Sequence, residues 1–153
     1  MIYNSIAHPH LLYCSIIWSS AFSTNLNCLR VIQKKLVRIV MKKRRNEHTD
    51  PLFKQLQLLK LDDLLNLNRL KFVYKSVNNL HNSPITFVAR EVGAYNIRNP
   101  PALIIPACRS TQSKLFVHAR GATLWNELTE DVRNSRSLQS FNRKLKTKYL
   151  ELY

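Results

Sequence analysis

"LKLDDLLNLNRLKFVYKSVNNL", Leu59 to Leu80, decides the fold class. At about 100° per residue, Leu61, Leu64, Leu65, Leu67, Leu70, Phe72, Val73, Tyr74 and Val77 fall nearly all round a helical axis. A helix that is apolar on every side is normally the buried centre of a bundle. The expectation is a mainly α-helical bundle built around this segment.

Toward the N-terminus, residues 3–22 read as a mostly apolar helix interrupted near Pro9, with Tyr13, Ile16, Ile17 and Trp18 as anchors. Asn25 is placed to cap the next helix, which runs to about Arg45. In "HTDPLF", Asp50 can cap and Pro51 suits the first helical position, where its missing N–H is harmless. Toward the C-terminus the character changes at His81. Pro84, Pro100, Pro101 and Pro106 break helices. The β-branched residues of "ALIIPACRSTQSKLFVH" predict short strands or extended segments at Leu103–Ile105 and Leu115–Val117, a small two-stranded or extended element within residues 95–118. Helix resumes after Gly121 in "GATLWNEL". Ser137 can cap a last helix with Leu138, Phe141, Leu145, Tyr149 and Leu152 on one face and Arg143, Lys144, Lys146 and Lys148 flanking it. The order is thus a helical region 1–80 with a basic helix at 25–45, a proline-containing irregular or short-strand segment 81–120, and C-terminal helices 121–153 packed with the first region as one domain.

The chain of 153 residues has room for one domain with a core. With only two glycines, tight turns of positive φ should be rare, which points away from hairpin-rich β folds. Cys14, Cys28 and Cys108 are odd in number, widely spaced and free of any CxxC pair, so they read as buried free thiols in a reducing compartment. The N-terminus has no basic leader, and Leu11–Phe22 is too short to span a bilayer. A soluble, intracellular protein is expected, with no membrane partner.

The net charge is +15, from 24 Lys+Arg against 9 Asp+Glu, which implies a polyanionic partner. The charge is concentrated. Arg30, Lys34, Lys35, Arg38, Lys42, Lys43, Arg44 and Arg45 stand within sixteen residues that contain no acid. With Arg30 at 0°, Arg30, Lys34, Arg38, Lys42 and Lys35 fall between about 0° and 140°, while Leu29, Ile32, Leu36, Val37, Ile39 and Val40 fall between about 180° and 340°, and only Val31 breaks the pattern. Like charges at i, i+4 spacing destabilise an isolated helix, so an external anion should compensate them. Phosphates fit: long cationic side chains follow a nucleic-acid backbone without reading bases. These eight residues are the expected nucleic-acid-binding set, toward RNA or DNA without sequence choice. Binding to anionic lipid would favour Trp or Phe on the apolar face, which is aliphatic here. "KKRR" is compatible with nuclear import, a weak signal in so short a run.

No catalytic constellation stands out. A two-metal polymerase or nuclease needs carboxylates converging on cations about 4 Å apart. Asp62-Asp63 opens a helical run, where acids favour the helix dipole and cap free N–H groups, and Glu130-Asp131 reads as a polar turn. His8-Pro9-His10 lacks the further ligands of a metal site. No GxxxxGK[ST], GxSxG or HExxH motif occurs, so no catalytic residue, metal or cofactor is assigned.

"HPHLLYCSIIWSSAF", followed by "NLNCLRVIQKKLVRIVMKKRRNEHTDPLFKQLQLLKLDDLLNLNRLKFVYK", resembles the region after the polymerase core in reverse transcriptases of non-LTR retrotransposons, the jockey-like group especially. The matching positions are Pro9, Leu11, Tyr13 and Trp18; Gln33, Lys34, Arg38 and Ile39; Thr49, Pro51, Leu52 and Phe53; Leu59 and Leu61; and Leu124, Trp125, Asn126 and Leu128. Each motif is loose, but the ordered set spans almost the whole chain. Ser19 stands where glycine often follows the Trp, and Thr129 where proline often follows the last Leu. The resemblance implies a C-terminal, thumb and post-thumb piece of an RNA-directed DNA polymerase. The metal-binding aspartates of that family lie upstream in the palm, and its aromatic-x-Asp-Asp hairpin has no counterpart in "KLDD". The piece would hold template and primer, would not be an enzyme by itself, and would work against the upstream polymerase core. The alternative is a protein-interaction module: the apolar face of residues 26–40 docks on a polymerase core or host partner and no nucleic acid is bound.

Overall fold

The computed structural model describes residues 3–89 and 102–153. Among these the chain forms α-helices and no strand, so the mainly helical expectation holds. A π-helical turn, Tyr3–Ala7, runs into α1 (His8–Leu12); α2 is Ser15–Trp18 and α3 is Ser23–Val40. Next come α4 (Asp50–Gln55) and α5 (Leu61–Val77). After an irregular stretch follow α6 (Thr111–Leu115), α7 (Val117–Asn126), α8 (Glu130–Arg133) and α9 (Leu138–Glu151).

The central position of α5 follows from its all-round apolar surface. Leu64, Leu67, Leu70, Val73 and Tyr74 join Leu124, Trp125, Phe141 and Leu145 in the main core, which unites α5, α7 and α9. On another side, Leu61 and Leu65 meet Leu26 of α3, with Trp18 and Leu29 packed against them. A third cluster joins Tyr3, Val37, Leu52, Phe53 and Leu58. Tyr74, Trp125 and Phe141 stack obliquely, with Tyr74–Phe141 centroids 4.6 Å apart, and the Tyr74 hydroxyl donates to the Ser135 carbonyl at 2.7 Å. Such pairs add about 0.5–1.5 kcal/mol to their area burial.

Gly121 lies inside α7 and does not mark its start. A Cβ there would meet Val73 Cγ2 at 2.8 Å, so the missing side chain is what lets α7 approach α5. Ser137 does cap α9, accepting from the Ser140 N–H at 3.2 Å. On α9, Phe141, Leu145 and Leu150 are buried, whereas Leu152, expected on the buried face, is 73% exposed.

Several boundaries differ from the sequence reading. Helix α3 begins at Ser23, with Phe22 in the capping position, so Asn25 caps nothing. It ends at Val40, short of Arg45. Thr49 precedes α4, and the Asp50 carboxylate pairs with Lys60 at 2.9 Å instead of capping. Tyr13 and Ile17 are solvent-exposed, so of the four apolar anchors only Ile16 and Trp18 are sheltered. The predicted strands do not form. Leu115 ends α6 and Val117 begins α7. Leu103 makes one isolated antiparallel bridge to Ala89, and its N–H and C=O are otherwise held by the Asn126 amide at 2.9 Å each. The part of that expectation on residues 95–101 lies outside the described residues.

Scarcity of glycine does not make positive φ rare. Cys14, Lys42, Gln57 and Asn79 adopt φ of 48°, 51°, 54° and 53°. The last three end helices in the same way. After α3, Lys42 N–H donates to Ile39 and Lys43 N–H to Arg38; after α4, Gln57 to Lys54 and Leu58 to Phe53; after α5, Asn79 to Ser76 and Leu80 to Lys75. These are Schellman caps with a left-handed residue that is usually glycine. The cysteines also differ from expectation: Cys14 and Cys28 are exposed and Cys108 half-buried, all as free thiols.

The acidic pair at the start of α5 serves packing. Neither residue caps. Asp62 pairs with Arg30, and Asp63 Oδ2 accepts from the Tyr153 hydroxyl at 2.5 Å. That hydroxyl in turn accepts from the Lys60 N–H at 2.8 Å, while Lys60 Nζ lies 4.3 Å from the Tyr153 ring centroid. Burial raises the pKa of Asp63 and of Tyr153. Among the described residues no helix is long and apolar enough to cross a membrane.

Candidate nucleic-acid interface

Helix α3 is held to the body by three inward residues. Leu26 and Val37 enter apolar clusters, and between them the Gln33 amide donates to Tyr3 Oη at 2.8 Å and to the Leu59 carbonyl at 2.9 Å. A buried amide so engaged costs little and fixes rotation about the helix axis. The buried arc is therefore centred on Leu26, Gln33 and Val37, near 320° in the angular frame used above. The aliphatic arc is only partly used: Ile32 is 45% and Ile39 71% exposed.

That rotation sorts the eight expected cations. Arg30 is committed within the fold. Its Nε and Nη2 donate to both oxygens of Asp62 at 2.8 Å, and its Nη1 to the Ser23 carbonyl at 2.8 Å. The Asp62 hydrogen bond pushes the Arg30 pKa upward. Arg38 is half-buried and donates from Nε to the Glu47 carbonyl at 2.9 Å, and Lys43 pairs with the Glu47 carboxylate at 3.0 Å. Lys34, Lys35, Lys42, Arg44 and Arg45 are exposed, and among the described residues none has a carboxylate within 4.0 Å. Lys34 and Lys35 remain on the helix. Lys42 to Arg45 lie beyond it, turned aside by the left-handed Lys42. The surface is a short cationic ridge followed by a cationic turn, in place of one continuous spiral.

Next to the ridge runs an apolar groove of about 380 Å³ between the N-terminal segment and α3, walled by Ile6, Leu11, Leu29, Ile32, Leu36 and Val40. Beyond the α3 N-terminus lies a second basic region that sequence reasoning did not find. There Arg69 of α5, Lys114 of α6 and Arg120 of α7 come together with Arg30 and Asp62. These residues are separated by up to 90 positions, and only the packing of α7 on α5 and of α6 against α7 makes them neighbours. The buried position of Arg69 hid it as well, because a helical wheel that is apolar all round leaves no polar face to notice.

His8 is half-buried and held below the ordinary histidine pKa by burial first and by Lys71 and Lys146 next. No group of three or more His, Cys, Asp or Glu side chains comes together among the described residues. Set against models of known protein families, curated proteins and solved structures, the chain matches none of them.

Proposed function

We propose that this chain is a non-catalytic C-terminal piece of a non-LTR retrotransposon reverse transcriptase that grips template and primer by sequence-tolerant phosphate contact. The observation that carries the binding half is the set of exposed cations that have no carboxylate within 4.0 Å among the described residues, Lys34, Lys35, Lys42, Arg44 and Arg45. The nearest acids of that region are already engaged, Glu47 by Lys43 and Asp50 by Lys60. The ordered motifs from Pro9 to Leu128 support the family half. Arg30, Arg38 and Lys43 are spent on internal partners and have a supporting role. An intracellular location, with nuclear entry through the Lys42–Arg45 turn, accompanies this reading.

The test is a salt titration of binding to an RNA–DNA hybrid. Each phosphate contact contributes about 0.9 to the slope of log K against log salt. Replacing Lys34, Lys35 and Lys42 by Glu should therefore lower the slope by about 2–3. An unchanged slope and affinity would sink the reading. Arg30→Glu is a poor probe, because it would face Asp62 with a like charge. Primer extension with Mg²⁺ or Mn²⁺ should give no product, and robust incorporation by the purified chain would overturn the non-catalytic assignment.

One observation favours a second reading. The groove flanked by Ile6, Ile32 and Leu36 leaves aliphatic surface of α3 uncovered. On this reading α3 docks on an upstream polymerase core or a host partner. It predicts self-association of the isolated chain, relieved when an upstream palm fragment is supplied in trans. A monodisperse, cooperatively melting monomer that ignores the palm fragment would exclude it.

A further inference from the structure

We infer that the concave basic pocket between the α2–α3 turn, the first half of α5 and the α6–α7 junction binds a phosphate group. The pocket has a volume of about 360 Å³ and is lined by Arg30, Arg69, Lys114 and Arg120 against one carboxylate, Asp62. Both oxygens of that carboxylate are taken by Arg30. Three positive charges are left with no ion pair among the described residues.

Arg69 makes the imbalance costly. It is only 7% exposed, and its hydrogen bonds go to neutral acceptors: Asn66 Oδ1 at 3.0 Å and the Ser19 carbonyl at 2.5 Å. Its Nε has no partner. Burial, and then the nearby charge of Arg120, lowers its pKa from the ordinary value. A guanidinium nevertheless stays protonated in a protein. The one carboxylate whose charge favours the Arg69 cation, Asp62, is already engaged by Arg30, and a desolvated cation so weakly compensated is costly to hold. Concave walls of one charge focus the field and concentrate anions. Lys114 and Arg120 supply donors at the rim, and Arg69 supplies charge from the floor.

The convergence of three unpaired cationic side chains on one pocket points to the ligand class. A phosphate brings one to two charges and several acceptor oxygens, suited to convergent Arg and Lys donors. The walls are fixed before any ligand arrives. Gln112 donates to the Ser20 carbonyl at 3.1 Å, tying α6 to the α2–α3 turn, and a Ser110–Ser113 capping box holds the α6 start.

The phosphate has two possible sources, a nucleic-acid backbone or a free phosphate ester, and the inference needs only the phosphate group. It therefore stands apart from the function proposed above. The experiment compares the full chain with the double variant Lys114→Ala/Arg120→Gln; Lys114→Ala alone, at an exposed side chain, covers the case in which Arg120→Gln unfolds. In one arm, melting is followed in inorganic phosphate against chloride at equal ionic strength. Phosphate stabilises proteins generally by exclusion from their surfaces, so the variant is the reference. The expected result is a saturable Tm rise in the parent chain that the variant lacks. In the other arm, the salt slope for an RNA–DNA hybrid should fall by about 1 in the variant if a backbone phosphate occupies the pocket. A Tm difference with an unchanged slope assigns the pocket to a free phosphate ester. A slope difference, with or without the Tm difference, assigns it to the backbone. Equal Tm shifts together with equal slopes overturn the inference. If the parent chain binds no hybrid, the proposed function falls and the melting arm alone decides the pocket.

Discussion

Replacing Gly121 by alanine should destabilise this protein, and the sign should reverse when Val73 is also cut to alanine. An added Cβ at Gly121 would lie 2.8 Å from Val73 Cγ2, which is 0.6 Å inside the 3.4 Å at which ordinary contact begins (3.4 − 2.8 = 0.6). Val73 is 0% exposed and has nowhere to retreat, and a β-branched side chain in a helix has little rotamer freedom. Overpacking of this kind costs about 1–3 kcal/mol. Against it stands the helix-propensity gain of about 1 kcal/mol for Gly→Ala. The net is a loss of about 0–2 kcal/mol for Gly121→Ala. Val73→Ala alone should cost about 2 kcal/mol through lost burial and a cavity. In that background the opposing methyl is gone, so Gly121→Ala should stabilise by about 1 kcal/mol. The two changes should therefore couple by about 1–3 kcal/mol. Urea unfolding of the four proteins, with linear extrapolation, measures each term. A stabilisation by Gly121→Ala of the same size in both backgrounds would refute the close α5–α7 approach.

Asn126→Ala should cost about 1–3 kcal/mol, since it leaves the Leu103 N–H and C=O without their partner, and hydrogen exchange at Leu103 should speed up before that of α7. Burial raises the Tyr149 hydroxyl from its ordinary 10.0 to about 12, with Asp63 and Glu127 adding to the shift. The folded state thus favours the neutral phenol. That stabilisation is complete below pH 10 and disappears as pH climbs from 10 toward 12, so Tyr149→Phe should flatten the alkaline loss of stability in denaturant titrations across this window. Cys28, exposed on α3 at about 160° in the frame used for the cations, lies on the same stripe of the helix as Lys35, about two turns before it, whereas Cys14 belongs to the α1–α2 turn. Alkylation of Cys28 should slow when an RNA–DNA hybrid is added while that of Cys14 does not, and equal protection of both thiols would count against the ridge as the contact surface.

How much of this was legible in the sequence depended on where the information resides. The α5 pattern is local and strong, and nine apolar residues spread round the axis can be satisfied only by neighbours on every side. The Ser137 cap and much of the α9 face were readable for the same reason. The strands expected at Leu103 and Leu115 do not form, because β-branched residues favour extended backbone without supplying a partner strand, and Ile104 and Ile105 stay about half exposed. Asn126, 23 residues away, provides the hydrogen bonds that a partner strand would have given Leu103. On α3 the wheel separated cations from aliphatics correctly, yet it could not locate the buried arc within the apolar half. That choice is made by Gln33, a polar residue whose partners Tyr3 and Leu59 are 30 and 26 positions distant. Arg30 and Arg38 stand on the cationic arc and still turn to internal acceptors. The Arg69–Lys114–Arg120 cluster left no trace at all, since no periodicity links three helices.

The helix ends at Lys42, Gln57 and Asn79 have a practical consequence. Each holds a side chain in the left-handed region, where glycine is free of strain, and each replacement by glycine should recover roughly 0.5–1 kcal/mol. Asparagine tolerates the region best, so Asn79 offers least. A domain of this size has a margin of only about 5–15 kcal/mol. Gln57→Gly lies outside both the cationic ridge and the phosphate pocket. It provides a reinforced parent in which core and pocket variants can be compared as folded proteins, so that a lost binding signal reports on chemistry and not on collapse.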